Sequence, residues 1–234
     1  MTTFLRTICL RQQADLLRYG VRTAVEVAVE PITLAEAREH LRVDTYEVGS
    51  PAEIVSDDDA WIEAMLPAAR EYCEHYLGRA LAPRTMEYVG DAFPIVAIGT
   101  PPGPVFQLPF GPVQSVESIT YTDTDDAPQT VASIDYEIDA ISVPSQVVLT
   151  YGSSWPTARS STGSVRVRYI TGYSTPGESP QVYPLPKMAR AAILLFLAHL
   201  YENREAVTVG SLVELPLGVQ SLLDFVGRER MGFA

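Results

Sequence analysis

The sequence predicts an α+β chain: a small helical bundle with an all-β insertion between its second and third main helices. Three observations lead there. Residues 185–201 are apolar on nearly every side, residues 57–77 make an amphipathic helix with acids at its start, and the stretch from Arg84 onward breaks into short β-like runs separated by proline and glycine. The expected division is an N-terminal extension at 1–30, a discontinuous helical core at 31–83 and 184–226, a β-rich insertion at 84–183 and a C-terminal tail at 227–234.

Within the extension, residues 5–18 have the spacing of a short amphipathic helix, and Val25, Val27 and Val29 alternate as in a strand. The first ten residues lack the long apolar core and small-residue cleavage site of a secretory signal, so they read as mature chain. Pro31 closes the segment. Thr33 and Glu36 then form a capping box, opening a short helix to about Arg42 whose apolar side is Leu34, Ala37 and Leu41.

Ser56, Asp57, Asp58 and Asp59 supply an N-cap and first-turn acids for the second helix, where negative charge opposes the helix dipole. Trp61, Met65, Ala68, Tyr72 and Tyr76 make one stripe and Ile62, Leu66, Ala69, Cys73 and Leu77 the next, which leaves Glu63, Arg70 and Glu74 for solvent. Gly78 is placed to end the helix, while Pro67 predicts a kink or a break.

The β-like runs are 85–89, 105–108, 116–122, 136–138, 146–149 and 165–170, with a turn at 123–126. Val165, Val167 and Tyr169 alternate with Arg166 and Arg168, so one face is apolar and the other charged. Residues 93–104 and 152–163 are long loops rich in Pro, Gly and Ser, of a kind that makes contacts.

Pro186 suits the start of the third helix, whose interior is too short to cross a bilayer. It is expected to be central and buried all round, with His199 as a hydrogen-bonded core residue and with a charge at Leu195 or Leu197 unfolding the domain. Val219, Leu222, Leu223 and Val226 mark a last amphipathic helix.

Composition excludes several functions. A formal net charge of −12, from 29 acidic and 17 basic side chains, is wrong for a dedicated duplex binder. Cys9 and Cys73 form neither a disulfide framework nor a zinc site, and suit a reducing compartment. His40, His75 and His199 lie on separate helices with no ligand spacing between them. There is no P-loop, dinucleotide fingerprint or nucleophile elbow, and the acidic runs read as a cap and a turn, so no cofactor and no enzymatic activity are expected. A hydrolase using loop carboxylates ranks last among the readings. What remains is surface: Trp155 and Tyr173 as exposed aromatics, proline-rich loops and an Arg-Phe tail, all suited to touching other chains.

Ile32-Thr33-Leu34-Ala35-Glu36-Ala37, Leu41-Arg42-Val43-Asp44, Ala69-Arg70-Glu71-Tyr72 with Gly78-Arg79-Ala80-Leu81, and Tyr201-Glu202-Asn203-Arg204-Glu205-Ala206 stand in an order that resembles the head-tail connector (neck adaptor) proteins of tailed bacteriophages and gene transfer agents. Gly152-Ser153-Ser154-Trp155-Pro156 and Leu215-Pro216-Leu217-Gly218-Val219 extend the match, which covers about residues 31–226. The resemblance implies a bundle of connector type. It also implies a ring of twelve copies below the portal, which extends the DNA channel and docks the tail or the next neck protein.

The partners so implied are other copies of the chain, the portal protein and a tail-side neck or tail terminator protein, with DNA passing through the lumen without sequence-specific binding and no membrane involved. The place is the virion neck, after synthesis in the cytoplasm of a bacterial host. Arg204, Phe225, Arg228, Arg230 and Phe233 are the expected portal contacts, and Trp155 and Tyr173 the tail-side or neighbour contacts. The longer N-terminal stretch and Pro67 depart from the family pattern. The alternative is a β-domain binding module of a tail or neck assembly that recognises another protein or a carbohydrate.

Overall fold

The computed structural model describes residues 19–49, 51–94, 104–140, 142, 144–174, 183–203 and 217–229. In chain order its elements are β1 (Tyr19–Val25), α1 (Leu34–Leu41), β2 (Tyr46–Val48), β3 (Glu53–Val55), α2 (Asp59–Leu77), β4 (Arg84–Gly90), β5 (Phe106–Leu108), β6 (Val113–Thr122), β7 (Pro128–Thr130), β8 (Tyr136–Asp139), β9 (Ser145–Leu149), β10 (Val165–Thr171), α3 (Lys187–Glu202) and α4 (Leu217–Glu229). Two compact units result. One holds β1 and Arg84–Thr171, the other Val27–Pro83 and the chain from Gly172 onward.

In the β unit, β1-β4-β10-β6-β7 form one antiparallel sheet and β5-β9-β8 another. Val165, Val167 and Tyr169 are fully buried while Arg166 and Arg168 point outward, as their alternation predicts. Met86 and Tyr88 of β4 and Ile119 of β6 face the same way, and Phe106, Leu108 and Val147 of the smaller sheet join them in one shared core. On the outer face Arg22 and Arg166 both reach Glu87, and Arg168 Nε donates to Glu117 at 2.7 Å. Such exposed pairs add little stability, but their cross-strand positions favour a single register. At the 123–126 turn, Asp123 Oδ1 accepts from the N–H groups of Asp125 and Ala127, and Oδ2 accepts from Gln129.

The helical unit is tied together by its acids. Thr33 Oγ1 accepts from the Glu36 N–H at 3.2 Å, which is half of the capping box; the Glu36 carboxylate instead takes Arg190 of α3. The three aspartates at the start of α2 each hold a different element. Asp57 accepts from Tyr46 at 2.6 Å, Asp58 from Tyr201 at 2.5 Å, and Asp59 takes the guanidinium of Arg38 through two bonds of 2.7 Å. Around them Ile62, Leu66, Ala69 and Cys73 of α2, Ala189, Ala192, Ile193 and Leu197 of α3, and Val219, Leu223 and Val226 of α4 form a single apolar cluster.

Several expectations change. A helical bundle with an all-β insertion is not what the chain builds: ten strands in three antiparallel sheets stand beside four α-helices among the described residues. β1 precedes every described helix and hydrogen-bonds to β4, so the five-stranded sheet draws on both sides of α1 and α2. Its mostly exposed edge position leaves only a weak apolar alternation to read, and the strand lies at Tyr19–Val25 rather than over Val25, Val27 and Val29. Pro67 lies inside one continuous α2, and the helix expected at 5–18 falls outside the described residues.

Buried positions differ too. Leu195 is 41% exposed, so only Leu197 of that pair belongs to the core, and His199 is half-buried, its ring beside the Asn203 amide. Arg70 and Glu74, expected in solvent, are both buried. Arg70 donates from Nε to Glu30 at 2.8 Å and from Nη1 to Glu74 at 2.7 Å, while the other Glu74 oxygen accepts from the Leu81 N–H at 2.6 Å. Glu30 is brought in by the segment before α1 and Leu81 by the segment after α2, which helical periodicity cannot register.

Arg70→Ala would strand two carboxylates, one of them buried, and is expected to destabilise the chain by roughly 3–5 kcal/mol, on the order of 10 °C in a thermal melt followed by circular dichroism. Gly172 has φ +108°, and a Cβ there would lie 2.1 Å from the Ala82 carbonyl oxygen. In the same melt Gly172→Ala is expected to lose about 1–3 kcal/mol from its backbone conformation alone, before relief of that overlap.

Candidate assembly surfaces

No group of three or more His, Cys, Asp or Glu side chains among the described residues is arranged to hold a metal ion. Burial pushes the Cys73 thiol up to about 12, with the charge of Glu74 adding to it, so at neutral pH it is an inert core residue. Burial raises Tyr88 to about 12 and raises Tyr169 as well. No helix among the described residues is long and apolar enough to cross a membrane.

The residues expected to make contacts part company. Phe225 is 59% exposed on α4, as a contact residue requires, while its neighbours Val226 and Leu223 are buried. Arg228 falls within α4 with its side chain outside the described set, and Arg204, Arg230 and Phe233 lie outside the described residues. Trp155 is not a free aromatic: its ring stacks on Phe93 at 5.2 Å and meets Phe106 edge-on, and its indole N–H donates to the Pro104 carbonyl at 3.0 Å. It joins the two long loops to the β core. Tyr173 is 1% exposed and packs in the helical core, because the chain re-enters that unit at Gly172. Neither aromatic is the exposed side chain that the loop composition suggested.

Other apolar side chains do stand in water. In the β unit Ile134 and Tyr151 are exposed on adjoining turns, where Thr150 donates to the Ile134 carbonyl at 2.9 Å and Ser153 to Asp135 at 3.2 Å. In the helical unit the β2–β3 hairpin exposes Tyr46, Val48 and Ile54, and α3 exposes Met188 and Leu195. By sequence, residues 46–55 with Gly49 and Pro51 read as a loop; the structure pairs them as a hairpin whose strands, three residues each, are too short to show alternation. Sequence alone takes α3 as buried because a helix covered on all sides and one with a single apolar outward stripe have the same composition.

The hairpin is propped from beneath. Arg38 donates from Nη1 to the Ile54 carbonyl at 2.8 Å while the rest of its guanidinium grips Asp59. The Asp59 carboxyl is held below its ordinary 3.8, chiefly by the hydrogen bonds from Arg38, with the Ser56 N–H and the Arg38 charge assisting against partial desolvation.

The fold is of a class found in the necks of virus-like particles. It is similar to a chain in the neck of an empty gene transfer agent (GTA) particle computed with C6 symmetry, at 22% identity and TM-score 0.62, over 88% of this chain and 94% of that one. A chain of the virion of a native GTA particle is similar at 22% identity and TM-score 0.61, over 88% and 93% of the two chains. A chain in the neck of a native GTA particle computed with C12 symmetry is similar at 21% and 0.59, again over 88% and 93%. No family model and no curated relative matches the chain.

A lowered carboxyl stabilises the folded state above its unfolded value and loses that contribution as pH falls through the folded value. Wild type is therefore expected to melt above Asp59→Asn at pH 5–7, with the gap closing below about pH 4. Melts across that range check it, and a gap that persists at pH 2 would assign the effect to something other than Asp59 ionisation.

Proposed function

We propose that this chain is a structural head-tail connector (adaptor) of a tailed phage or phage-like particle, located in the virion neck after synthesis in a bacterial host. In this reading its copies form a ring, twelve by the symmetry of one assembly of similar fold, below the portal. The ring extends the DNA channel and docks the tail or the next neck protein. The observation that carries the reading is likeness over nearly the whole chain, both units included, to chains of GTA necks and virions.

Charge is consistent with this role. With −12 overall, acids facing a lumen would repel passing DNA within a Debye length of about 8–10 Å and leave it unbound. Phe225, exposed on α4, is the described candidate for the portal side.

A second reading has one observation in its favour: Ile134 and Tyr151 are both exposed on segments joined by the Thr150 bond to the Ile134 carbonyl, and give the β unit apolar side chains suited to gripping a tail-side protein. It is compatible with the first and assigns the β unit the outward contact.

Electron microscopy of the purified chain, alone and mixed with portal rings, is the test. The expected result is a twelve-fold ring stacked on the portal; a chain that stays monomeric in both samples overturns the connector reading.

A further inference from the structure

α3 differs from the other long helix of its unit. Exposed positions on α2 mix the polar Glu63, Glu71 and His75 with Ala60, Ala64, Ala68 and Tyr76, whereas the outward stripe of α3 is Met188, Ala191, Leu195 and Ala198, with no charged side chain in it. Met188 and Leu195, seven residues apart, lie on one side of the helix at 38% and 41% exposure, and the alanines between and beyond them are half-buried. At the N-terminal end of the stripe stands exposed Lys187, the only lysine among the chain's 17 basic side chains.

The β2–β3 hairpin is the counterpart on the same unit. It is a two-stranded ribbon with Tyr46 and Val48 on one face and Ile54 on the other, all exposed, and a ribbon uncovered on both faces is marginal in water. Its charges are Glu47 and Glu53, both exposed and opposite in sign to Lys187. One surface is thus apolar with a cation at its rim, and the other is apolar with anions at its rim.

We infer that α3 of one copy receives the β2–β3 hairpin of a second copy. Leu195 and Met188 pack against Val48 and Tyr46, and Lys187 meets Glu53, which the Val48–Glu53 pairing places on the same face of the ribbon. Because the two surfaces differ, the contact is heterologous and propagates from copy to copy, closing into a ring when the rotation permits. The small side chains of Ala191 and Ala198 leave room for the ribbon to approach. The inference rests on the ring proposed above and specifies which faces would build it.

The sole lysine makes the contact addressable. Full-length chain is prepared as an equal mixture of ordinary and ¹⁵N-labelled protein under conditions that give rings, alone or on portal rings. It is then treated with a carbodiimide, which joins a lysine amine to a touching carboxylate as an amide and leaves as its urea.

The expected product is a mixed-label peptide joining Lys187 to Glu53. Leu195→Asp and Val48→Asp, which alter exposed side chains and should melt like wild type, should cut that product by about tenfold or more. Lys187→Glu should abolish it, and Lys187→Glu combined with Glu53→Lys should restore a mixed-label cross-link with its ends exchanged. Rings that form normally from Leu195→Asp, with cross-links elsewhere, would overturn this interface and leave the ring standing. Same-label products alone would show the hairpin folding onto its own α3, and a wild-type chain that never assembles would remove the ring and the interface together.

Discussion

A buried guanidinium sets the terms for the helical unit. Arg70 sits in the middle of α2 with 4% of its surface exposed, and its charge is tolerable there only with partners in place. Burial works against the charged form, but the hydrogen bond to Glu30 and the charges of Glu74, Glu30 and Glu71 outweigh it and hold the group above its ordinary range. Glu30 lies just before α1, and Leu81, whose N–H occupies the other Glu74 oxygen, lies just past the end of α2. One ion cluster thereby fixes where the chain enters this helix pair and where it leaves. Apolar residues of equal volume would give comparable stability; the ions add selectivity, since a misdocked loop leaves a charge buried without its partner.

The same logic recurs at the unit's other joints. Glu36 with Arg190, Asp59 with Arg38 and Asp58 with Tyr201 each link elements that are distant in sequence. An acidic chain has used its carboxylates as fasteners. The three aspartates at the start of α2, which sequence alone assigns to capping, are the clearest example: Asp58 stands at the N-cap yet makes no side-chain cap bond and instead reaches α3.

What sequence could reveal followed from local periodicity. The apolar stripe of Ile62, Leu66, Ala69 and Cys73, the Val165-Val167-Tyr169 alternation, the Thr33 cap and the Gly78 stop all depend on neighbours a few residues away, and all are present. What failed depended on distant partners. Arg70 and Glu74 sit at spacings that suit solvent until Glu30 and Leu81 cover them. β1 needs β4, 60 residues on, to be recognisable as part of a sheet, and without that pairing the β strands look like an insertion. Surface assignments suffered similarly. Trp155 and Tyr173 occupy loops of polar composition that fold back on cores, while Leu195 occupies a helix of core composition that leaves one side bare. Phe225 is exposed on α4 because the buried stripe of that helix runs through Val219, Leu223 and Val226.

The order of strands also governs how the chain can be made. β1 is made well before its partner β4, which follows only after α1 and α2, and α3, which completes the core of those helices, comes after the whole of β10. Each unit is therefore interrupted by the other, and neither closes until late in synthesis. Until α3 arrives, Ile62, Leu66 and Cys73 have no apolar cover from it, and the nascent chain carries that surface through most of translation. Long sequence separation between partners slows closure as well, because loop entropy must be overcome before the contacts form. Splitting the chain at a unit boundary would leave both halves without strands or helices that complete their cores.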